Sequence, residues 1–125
     1  MSKSSASSLP SLSVRIDLDA EDRIGPGKIL LLEHIRECGS ISAAGRAMDM
    51  SYKRAWLLVD TMNRCFQEPL VAAVKGGAGG GSARLTPAGE RVLALYRRIE
   101  AHAAEACAGD MRELAGLAVD EPPEG

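Results

Sequence analysis

Residues 39–56 read GSISAAGRAMDMSYKRAW, and this stretch decides the fold. Ser40 is placed to cap a short helix that ends near Met48, because a serine hydroxyl can accept a hydrogen bond from a free N–H of the first turn. After a short turn, Ser51 caps a longer helix that runs to about Cys65. Two capped helices in tandem, the second with cations at its start, predict a helix-turn-helix that fits the major groove of DNA.

The longer helix has two contrasting faces. At about 100° per residue, one face of this helix is apolar and is predicted to join the core. Its members are Ala55, Leu58, Val59, Met62 and Phe66. The opposite arc is polar and is the side available to DNA. Lys53 and Arg54 at its start suit either guanine O6 and N7 or phosphate, and the sequence leaves both readings open.

Two other residues of this stretch are predicted to pack closely. Gly45 lies inside the short helix, where glycine costs about 1 kcal/mol relative to alanine, so tight packing or close approach to another molecule is expected there. Trp56 lies at the edge of the apolar face, which favours packing in the core or in a dimer over stacking on a base.

A glycine-rich hairpin follows the two helices. Residues 70–74 and 82–85 are predicted strands, and the glycines of residues 76–81 permit close backbone approach at the loop between them. The hairpin occupies the place of a wing, beside the adjacent minor groove or its phosphates. No Lys-Ser or Lys-Thr pair follows the loop, so a nucleotide site is excluded. The residues predicted to contact DNA are Ser40, Ser42, Ser51, Tyr52, Lys53, Arg54, Leu57, Thr61, Arg64, Lys75, Gly77, Gly79 and Arg84.

The segment before the helix-turn-helix carries weaker signals. Residues 1–11 are predicted to be disordered, because serine and lysine with few apolar groups cannot offset the ordering entropy. Apolar and polar residues alternate over residues 12–19, which predicts a half-buried strand. A turn is expected at residues 22–27, then a helix over residues 27–38, with Gly39 in the left-handed position after its end.

A long helix is predicted after the wing. Thr86 caps it, Pro87 takes its first position, and it runs to about Cys107. Its apolar stripe is expected to pair with a second copy of the chain, because so small a domain offers it few other partners. A short helix is predicted over residues 110–119, followed by a tail. The predicted dimerisation residues are Val92, Leu95, Tyr96, Ile99 and Ala103.

Charge is unevenly distributed along the chain. The net charge is −2, yet residues 28–98 hold eleven Lys and Arg against six Asp and Glu. Residues 99–125 hold one cation against seven acids. A basic middle suits a nucleic-acid partner, and the acidic end is expected to weaken non-specific DNA binding.

Size and composition bound the remaining possibilities. The chain has 125 residues, of which 46% are apolar and 3% aromatic, so one domain with a modest core is expected. It has no apolar run that could span a membrane and no signal-peptide core, so a cytoplasmic protein is expected. Its three cysteines lack CxxC spacing, so reduced thiols are expected. The predicted organisation is a disordered segment at 1–11, a DNA-binding and dimerisation domain at 12–108, and a short helix with an acidic flexible tail at 109–125.

Several short motifs in the central part of the chain are specific enough to compare with a known family. They are GSISAA at 39–44, MSYK at 50–53, AW at 55–56 and LTPAG at 85–89. These motifs resemble the N-terminal winged helix of the ModE family of molybdate-responsive regulators, over about residues 12–105. The related N-terminal domain of the LysR family shares the Gly-Ser opening and the Leu-Thr-Pro-Ala-Gly end, but not Ser-Tyr-Lys with Ala-Trp.

This resemblance implies DNA binding, with dimerisation through the N-terminal strand and the long C-terminal helix. Full-length ModE regulators carry C-terminal domains that sense molybdate, whereas this chain ends soon after its long helix. We therefore expect no molybdate site and no small-molecule effector site in it. Molybdenum-related genes are the targets that the resemblance suggests.

The predicted fold class is α+β, mainly α: a winged helix-turn-helix with an N-terminal strand, a two-strand wing and a long C-terminal dimerisation helix. The predicted function is a homodimeric transcriptional regulator that binds a specific sequence of double-stranded DNA. The alternative is a winged-helix protein-interaction module that modulates another regulator without reading DNA.

Neither an enzyme nor a cofactor protein is expected. No histidine lies near a candidate nucleophile, and no acidic pair lies in an apolar context. His34 and Cys38 lie four residues apart on a predicted helix, but two ligands alone make a poor metal site, so a packed histidine and a buried thiol are predicted instead.

Overall fold

The structure, a computed structural model, describes residues 10–19, 21–74 and 81–118. The described chain is mainly helical and has two antiparallel pairs of short strands, which confirms the predicted fold class. The elements in chain order are β1 (Ile16–Asp17), β2 (Arg23–Ile24), α1 (Pro26–Cys38), α2 (Ile41–Ala47), α3 (Tyr52–Cys65), β3 (Val71–Val74), β4 (Ser82–Leu85), α4 (Pro87–Ala106) and α5 (Ala108–Leu117).

The caps predicted around the helix-turn-helix are confirmed. Gly39 ends α1 in the left-handed conformation, with φ of 73°. The Ser40 Oγ accepts a hydrogen bond from the Ala43 N–H at 3.0 Å, and the Ser51 Oγ accepts one from the Arg54 N–H at 3.1 Å. These side chains satisfy N–H groups that the first turn of each helix leaves without a partner, so they fix where α2 and α3 begin.

Helices α2 and α3 approach each other closely at Gly45. This residue is buried, and a Cβ built on it would lie 3.0 Å from the Ala55 Cβ and 3.6 Å from the Met50 Cγ. The predicted tight packing is therefore confirmed, since any larger residue would push α3 away from α2.

The core lies between α1, the helix-turn-helix, the base of the wing and the first half of α4. Every residue in it is apolar except for the hydroxyl of Tyr96, and no charged side chain of the described chain is buried. Burial of each large aliphatic side chain stabilises the fold by roughly 1.5–3 kcal/mol. The largest fully buried side chains are Tyr96, Ile29, Leu31, Leu32, Ile35, Met62, Leu70 and Val59.

The N-terminal strand is shorter than the predicted span of 12–19, and the turn predicted at 22–27 is partly wrong because β2 begins inside it. β1 pairs with β2 in an antiparallel hairpin. Asp19 explains this early reversal: its Oδ1 accepts the N–H of Glu21 at 3.0 Å and that of Asp22 at 2.9 Å. The same backbone hydrogen bonds hold the pKa of the Asp19 carboxyl below its ordinary value.

Helix α4 begins as predicted and packs against α1 and against the segment that leads into the wing. The Thr86 Oγ1 accepts the Gly89 N–H at 3.0 Å, and Pro87 occupies the first turn. Gly89 lies so close to Leu70 that a Cβ would overlap the Leu70 carbonyl oxygen. This contact anchors the start of α4 to the chain that leads into the wing.

The short C-terminal helix is present but begins a little earlier than predicted. α5 contacts α4 and buries none of its residues within the chain. No helix in the described part of the chain is both long and apolar enough to cross a lipid bilayer. The predictions for residues 1–9, for the loop at 75–80 and for the tail at 119–125 fall outside the described residues.

Candidate nucleic-acid interface

The start of α3 projects outward from the fold. Ser51, Tyr52, Lys53 and Arg54 are all exposed, and Tyr52 is 60% accessible. Leu57, one turn further on, is 56% accessible although it is apolar. An exposed leucine side chain beside cations is suited to contact with a thymine methyl group.

The next turns of α3 bring the remaining predicted contacts onto the same side. The Thr61 hydroxyl donates to the Leu57 carbonyl at 2.9 Å, which leaves its oxygen able to accept. Arg64 forms an ion pair with Asp60 at 2.7 Å, and both side chains are more than half exposed. A surface pair of this kind contributes about 0–1 kcal/mol, so a phosphate could compete with Asp60 for the guanidinium.

The predicted contacts on α2 are less accessible than those on α3. Ser40 and Ser42 are half-buried. The Ser40 Oγ is engaged in its cap, and the Ser42 Oγ accepts from Arg46 Nη1 at 2.9 Å. Arg46 is exposed and is a cation that the sequence-based site did not include. Its signal was its place in the last turn of α2, immediately before the turn that leads to Ser51.

The wing is held against the helix-turn-helix at its base. β3 and β4 pair with Val71 opposite Leu85 and Ala72 opposite Arg84. The Ala83 N–H donates to the Gly39 carbonyl at 2.9 Å, which ties β4 to the end of α1. Arg84 is exposed on the wing, as predicted for a DNA contact. The other predicted wing contacts, Lys75, Gly77 and Gly79, lie outside the described residues.

Asn63 joins the wing to α3 and was missed as a positioning residue by sequence reasoning. Its Oδ1 accepts the Leu70 N–H at 2.9 Å and the Val71 N–H at 3.1 Å. Its Nδ2 donates to the Val71 carbonyl at 3.2 Å. One side chain therefore satisfies backbone groups on the edge of β3 that faces away from β4, and it sets the wing beside α3. The only signal in the sequence was an amide side chain seven residues before the predicted strand.

Trp56 packs within the chain, as predicted, and supports the outward face of α3. Its ring is half-buried against the core, with Nε1 buried and without a partner in the described chain. The Tyr52 ring meets it edge to face, with centroids 6.1 Å apart. An edge-to-face pair orients both rings, so the Tyr52 hydroxyl is held at the solvent side of the helix start.

Ion pairs neutralise cations on the helices that lie away from this surface. Arg36 pairs with Glu90 at 3.3 Å. Arg97 binds Glu33 through two hydrogen bonds of 2.7 and 3.0 Å, and Glu100 at 2.6 Å. The Arg97 guanidinium lowers the pKa of the Glu33 carboxyl, and the two carboxylates raise the pKa of Arg97.

By contrast, three cations of the candidate surface keep their charge free. Lys53, Arg54 and Arg84 form no ion pair with another described residue. These three cations leave uncompensated positive charge on the start of α3 and on the wing, where an anionic partner can reach it. Arg91, Arg98 and Arg112 on α4 and α5 are also without an ion pair in the described chain.

The predicted dimerisation residues divide into two groups. Tyr96 is buried in the chain's own core, where its hydroxyl donates to the Val14 carbonyl, and Val92 is half-buried against that core. Ala103 is half-buried, whereas Leu95 and Ile99 are 36% and 42% exposed. Of the five predicted residues, only Leu95, Ile99 and Ala103 are therefore open to contact with a second copy of the chain.

The residues considered as metal ligands do not form a cluster. In the described ranges, no group of three or more His, Cys, Asp and Glu side chains could hold a metal ion. His34 is half-buried. Cys38 is exposed at the last position of α1, so the buried thiol predicted there is wrong, because the apolar stripe of α1 ends at Ile35.

The comparisons with known proteins concern the same part of the chain. Residues 27–90 match the family described as bacterial regulatory helix-turn-helix protein, lysR family. Those residues run from the start of α1 through the wing into the first turn of α4.

Curated relatives are similar over a somewhat longer stretch. Molybdenum transport protein ModE of Azotobacter vinelandii is 44% identical over 85 residues, covering 68% of this chain and 32% of the relative. Molybdenum-pterin-binding protein MopB of Rhodobacter capsulatus is 48% identical over 83 residues, covering 66% of this chain and 31% of the relative. DNA-binding transcriptional dual regulator ModE of Escherichia coli K12 is 44% identical over 71 residues, covering 57% of this chain and 27% of the relative. The similarity thus spans about a third of the length of these relatives.

Proposed function

Because the chain belongs to the lysR family of bacterial regulatory helix-turn-helix proteins, we propose that it is a transcriptional regulator that binds a specific sequence of double-stranded DNA. One observation carries the proposal: the start of α3 presents unpaired Lys53 and Arg54 to solvent, with the wing held beside it. A helix of this kind, with its first residues exposed, enters the major groove by its N-terminal end.

In the proposed complex, α3 lies in the major groove. The Lys53 and Arg54 side chains reach guanine edges or phosphates, and Leu57 contacts a thymine methyl group. Ser51 and Tyr52 contribute to backbone contacts near the helix N-terminus, which attracts phosphate. Most of these contacts position the helix, and a few specify the sequence.

The flanking contacts come from the wing and from the other helix of the motif. Arg84, with Lys75, Gly77 and Gly79, would lie along the adjacent minor groove or its phosphates. Ser40 and Ser42 would meet phosphates from the α2 side, where exposed Arg46 adds a cation. Thr61 and Arg64 would reach the backbone further along α3.

The proposed regulator is a homodimer that forms through its C-terminal helices. Leu95 and Ile99 of α4 are exposed, and Leu114 and Leu117 of α5 are 54% and 76% exposed. Exposed apolar side chains on two neighbouring helices favour a second copy of the chain as the partner. A two-fold dimer would bind a roughly palindromic operator with half-site centres about 34 Å, or a multiple, apart.

The relatives suggest which genes are controlled. Their names link them to molybdenum transport and to transcriptional regulation, so we propose that this chain acts on molybdenum-related genes. A regulator of this kind meets its operator in the cytoplasm and performs no enzymatic reaction. The proposal does not extend to the activity of the remaining two thirds of each relative, since the similarity spans only about a third of it.

The test is DNA binding measured by fluorescence anisotropy, with an operator selected from genomic fragments. The double variant Lys53→Ala with Arg54→Ala removes two contacts worth about 1–3 kcal/mol each, so specific affinity should fall at least about 30-fold. Arg98→Ala with Arg112→Ala removes the same charge from exposed positions on α4 and α5 and should change affinity little. Light scattering should find both variants as dimers.

Two results would count against this function. Normal operator binding by the Lys53→Ala, Arg54→Ala variant would show that α3 does not read the DNA. Failure of the unmodified chain to bind any duplex, even at low salt, would favour the protein-interaction module instead.

A further inference from the structure

A cationic cavity lies beside the start of α3, outside the site assembled above. It has a volume of about 330 Å³ and forms where the N-terminal hairpin meets the first turn of α1. Cations from three separate segments line it, over an apolar floor. The side chains concerned are Arg15, Arg23, Lys28 and Arg54, with Met50 and Leu58 beneath them.

The charge in this cavity is largely uncompensated. Only Arg15 has an acidic partner in the described chain, since its Nε lies 3.2 Å from Asp17 Oδ1. Arg23, Lys28 and Arg54 have no ion pair with another described residue. The Lys28 ammonium donates to the Arg23 carbonyl at 2.9 Å, which holds it at the cavity edge and leaves further N–H groups free. No described Asp or Glu lines the cavity.

The backbone adds to the positive potential. α1 begins here with Gly25 as its N-cap, which supplies no side chain to the first-turn N–H groups, and the first turn of this 13-residue helix contains no acid. Free N–H groups at a helix start carry partial positive charge that attracts anions. Four side-chain cations and this helix start therefore surround one volume.

The cavity flanks α3 on the side opposite the wing. At about 100° per residue, Arg54 and Asn63 lie about 180° apart around the helix. Asn63 binds β3 of the wing, whereas Arg54 and Leu58 line the cavity. Lys53 lies between these two directions, on the outward face proposed to enter the major groove. The phosphate backbone of one DNA strand borders each side of the major groove. When α3 lies in the groove, one DNA strand is therefore beside the wing and the other is beside the cavity.

We infer that this cavity binds a phosphate group of the DNA backbone, on the side of the major groove opposite the wing. The inference rests on the proposed DNA-binding function and adds Arg15, Arg23 and Lys28 to its contact surface. Charge complementarity supports this occupant, as does continuity with the α3 surface through Arg54. Such contacts raise affinity for every sequence equally, because phosphates carry no base identity.

The experiment uses a double variant that carries both Arg23→Gln and Lys28→Gln. Its matched control is a double variant that carries both Arg98→Gln and Arg112→Gln. Anisotropy is measured on the operator and on an unrelated duplex between 0.05 and 0.3 M salt. Each lost phosphate contact lowers the slope of log affinity against log salt by about 0.9, so loss of the one phosphate held in the cavity should lower the slope by about 0.9 and weaken binding to both duplexes on the order of 8-fold at 0.1 M salt. The control should keep the slope of the unmodified chain.

The outcomes separate this inference from the function on which it rests. If the unmodified chain binds no DNA, the proposed function is wrong. If it binds and the Arg23→Gln, Lys28→Gln variant keeps both slope and affinity, only the cavity assignment is wrong. Should the double variant fold poorly, Arg23→Gln alone changes an exposed side chain without a described partner, and it should lower the slope for both duplexes by up to about 0.9.

A free oxyanion is the competing occupant, and inorganic phosphate is the probe for it. Amide NMR spectra recorded with increasing inorganic phosphate would show saturable shifts around Gly25–Lys28 if the cavity held a free anion. Saturation at low millimolar phosphate, together with an unchanged DNA salt slope in the variant, would overturn the inference. Weak, non-saturating shifts with a reduced slope would support it.

Discussion

Replacement of Asn63 by alanine tests how the wing is fixed to α3. The change removes three hydrogen bonds, of 2.9, 3.1 and 3.2 Å, to the backbone of Leu70 and Val71. Both of those residues are buried, so water cannot readily replace the lost amide. Each bond contributes about 1 kcal/mol and an orphaned N–H costs about 1–3 kcal/mol, so the free energy of unfolding should fall by about 3 kcal/mol.

The assay is urea denaturation followed by circular dichroism at neutral pH. Asn63→Asp is the informative control, because its carboxylate still accepts both N–H groups and loses only the donor to the Val71 carbonyl. It should therefore destabilise the protein by only about 1–2 kcal/mol. The reasoning is refuted if Asn63→Ala unfolds within about 0.5 kcal/mol of the unmodified chain, or if the aspartate is the worse substitution.

The remaining stability predictions concern the packing of α4. Gly89→Ala should destabilise the fold by about 1–3 kcal/mol in the same assay, since the new Cβ would overlap the Leu70 carbonyl oxygen; an unchanged midpoint would contradict this close contact. Glu33→Gln should cost about 1 kcal/mol at neutral pH, because the partly exposed carboxylate binds Arg97. The pKa of Glu33 is lowered in the folded state, so its stabilisation is present above its ordinary pKa and is lost as pH falls through the lowered one. The difference between the two proteins should therefore shrink in acid, and a constant difference would argue against the ion pair.

Local signals explain why much of the fold could be predicted from the sequence. Ser40, Ser51 and Thr86 cap helices through contacts within three residues, and Gly39 takes a backbone conformation that few other residues adopt. Such features depend on neighbouring residues only, so they are visible before any tertiary structure is known. The same locality explains why the faces of α3 were predicted correctly.

The features that could not be predicted join distant parts of the chain. β2 arises because Asp19 turns the chain early, which alternation alone does not reveal. Tyr96 is drawn inward by a carbonyl far away in sequence, so its place in an apolar stripe was misleading. The cationic cavity needs Arg23 and Arg54 to be brought together by tertiary packing. Periodicity places a residue on a helix face but does not say what packs there.

The measurement that most directly tests the central claim is a map of backbone amide NMR shifts on addition of an operator duplex. If α3 enters the major groove, the largest changes fall at Ser51–Arg54, at Leu57 and at Arg84 of the wing, with little change at the exposed end of α4. Changes confined to α4 and α5, with the start of α3 unaffected, would contradict the claim that α3 enters the major groove.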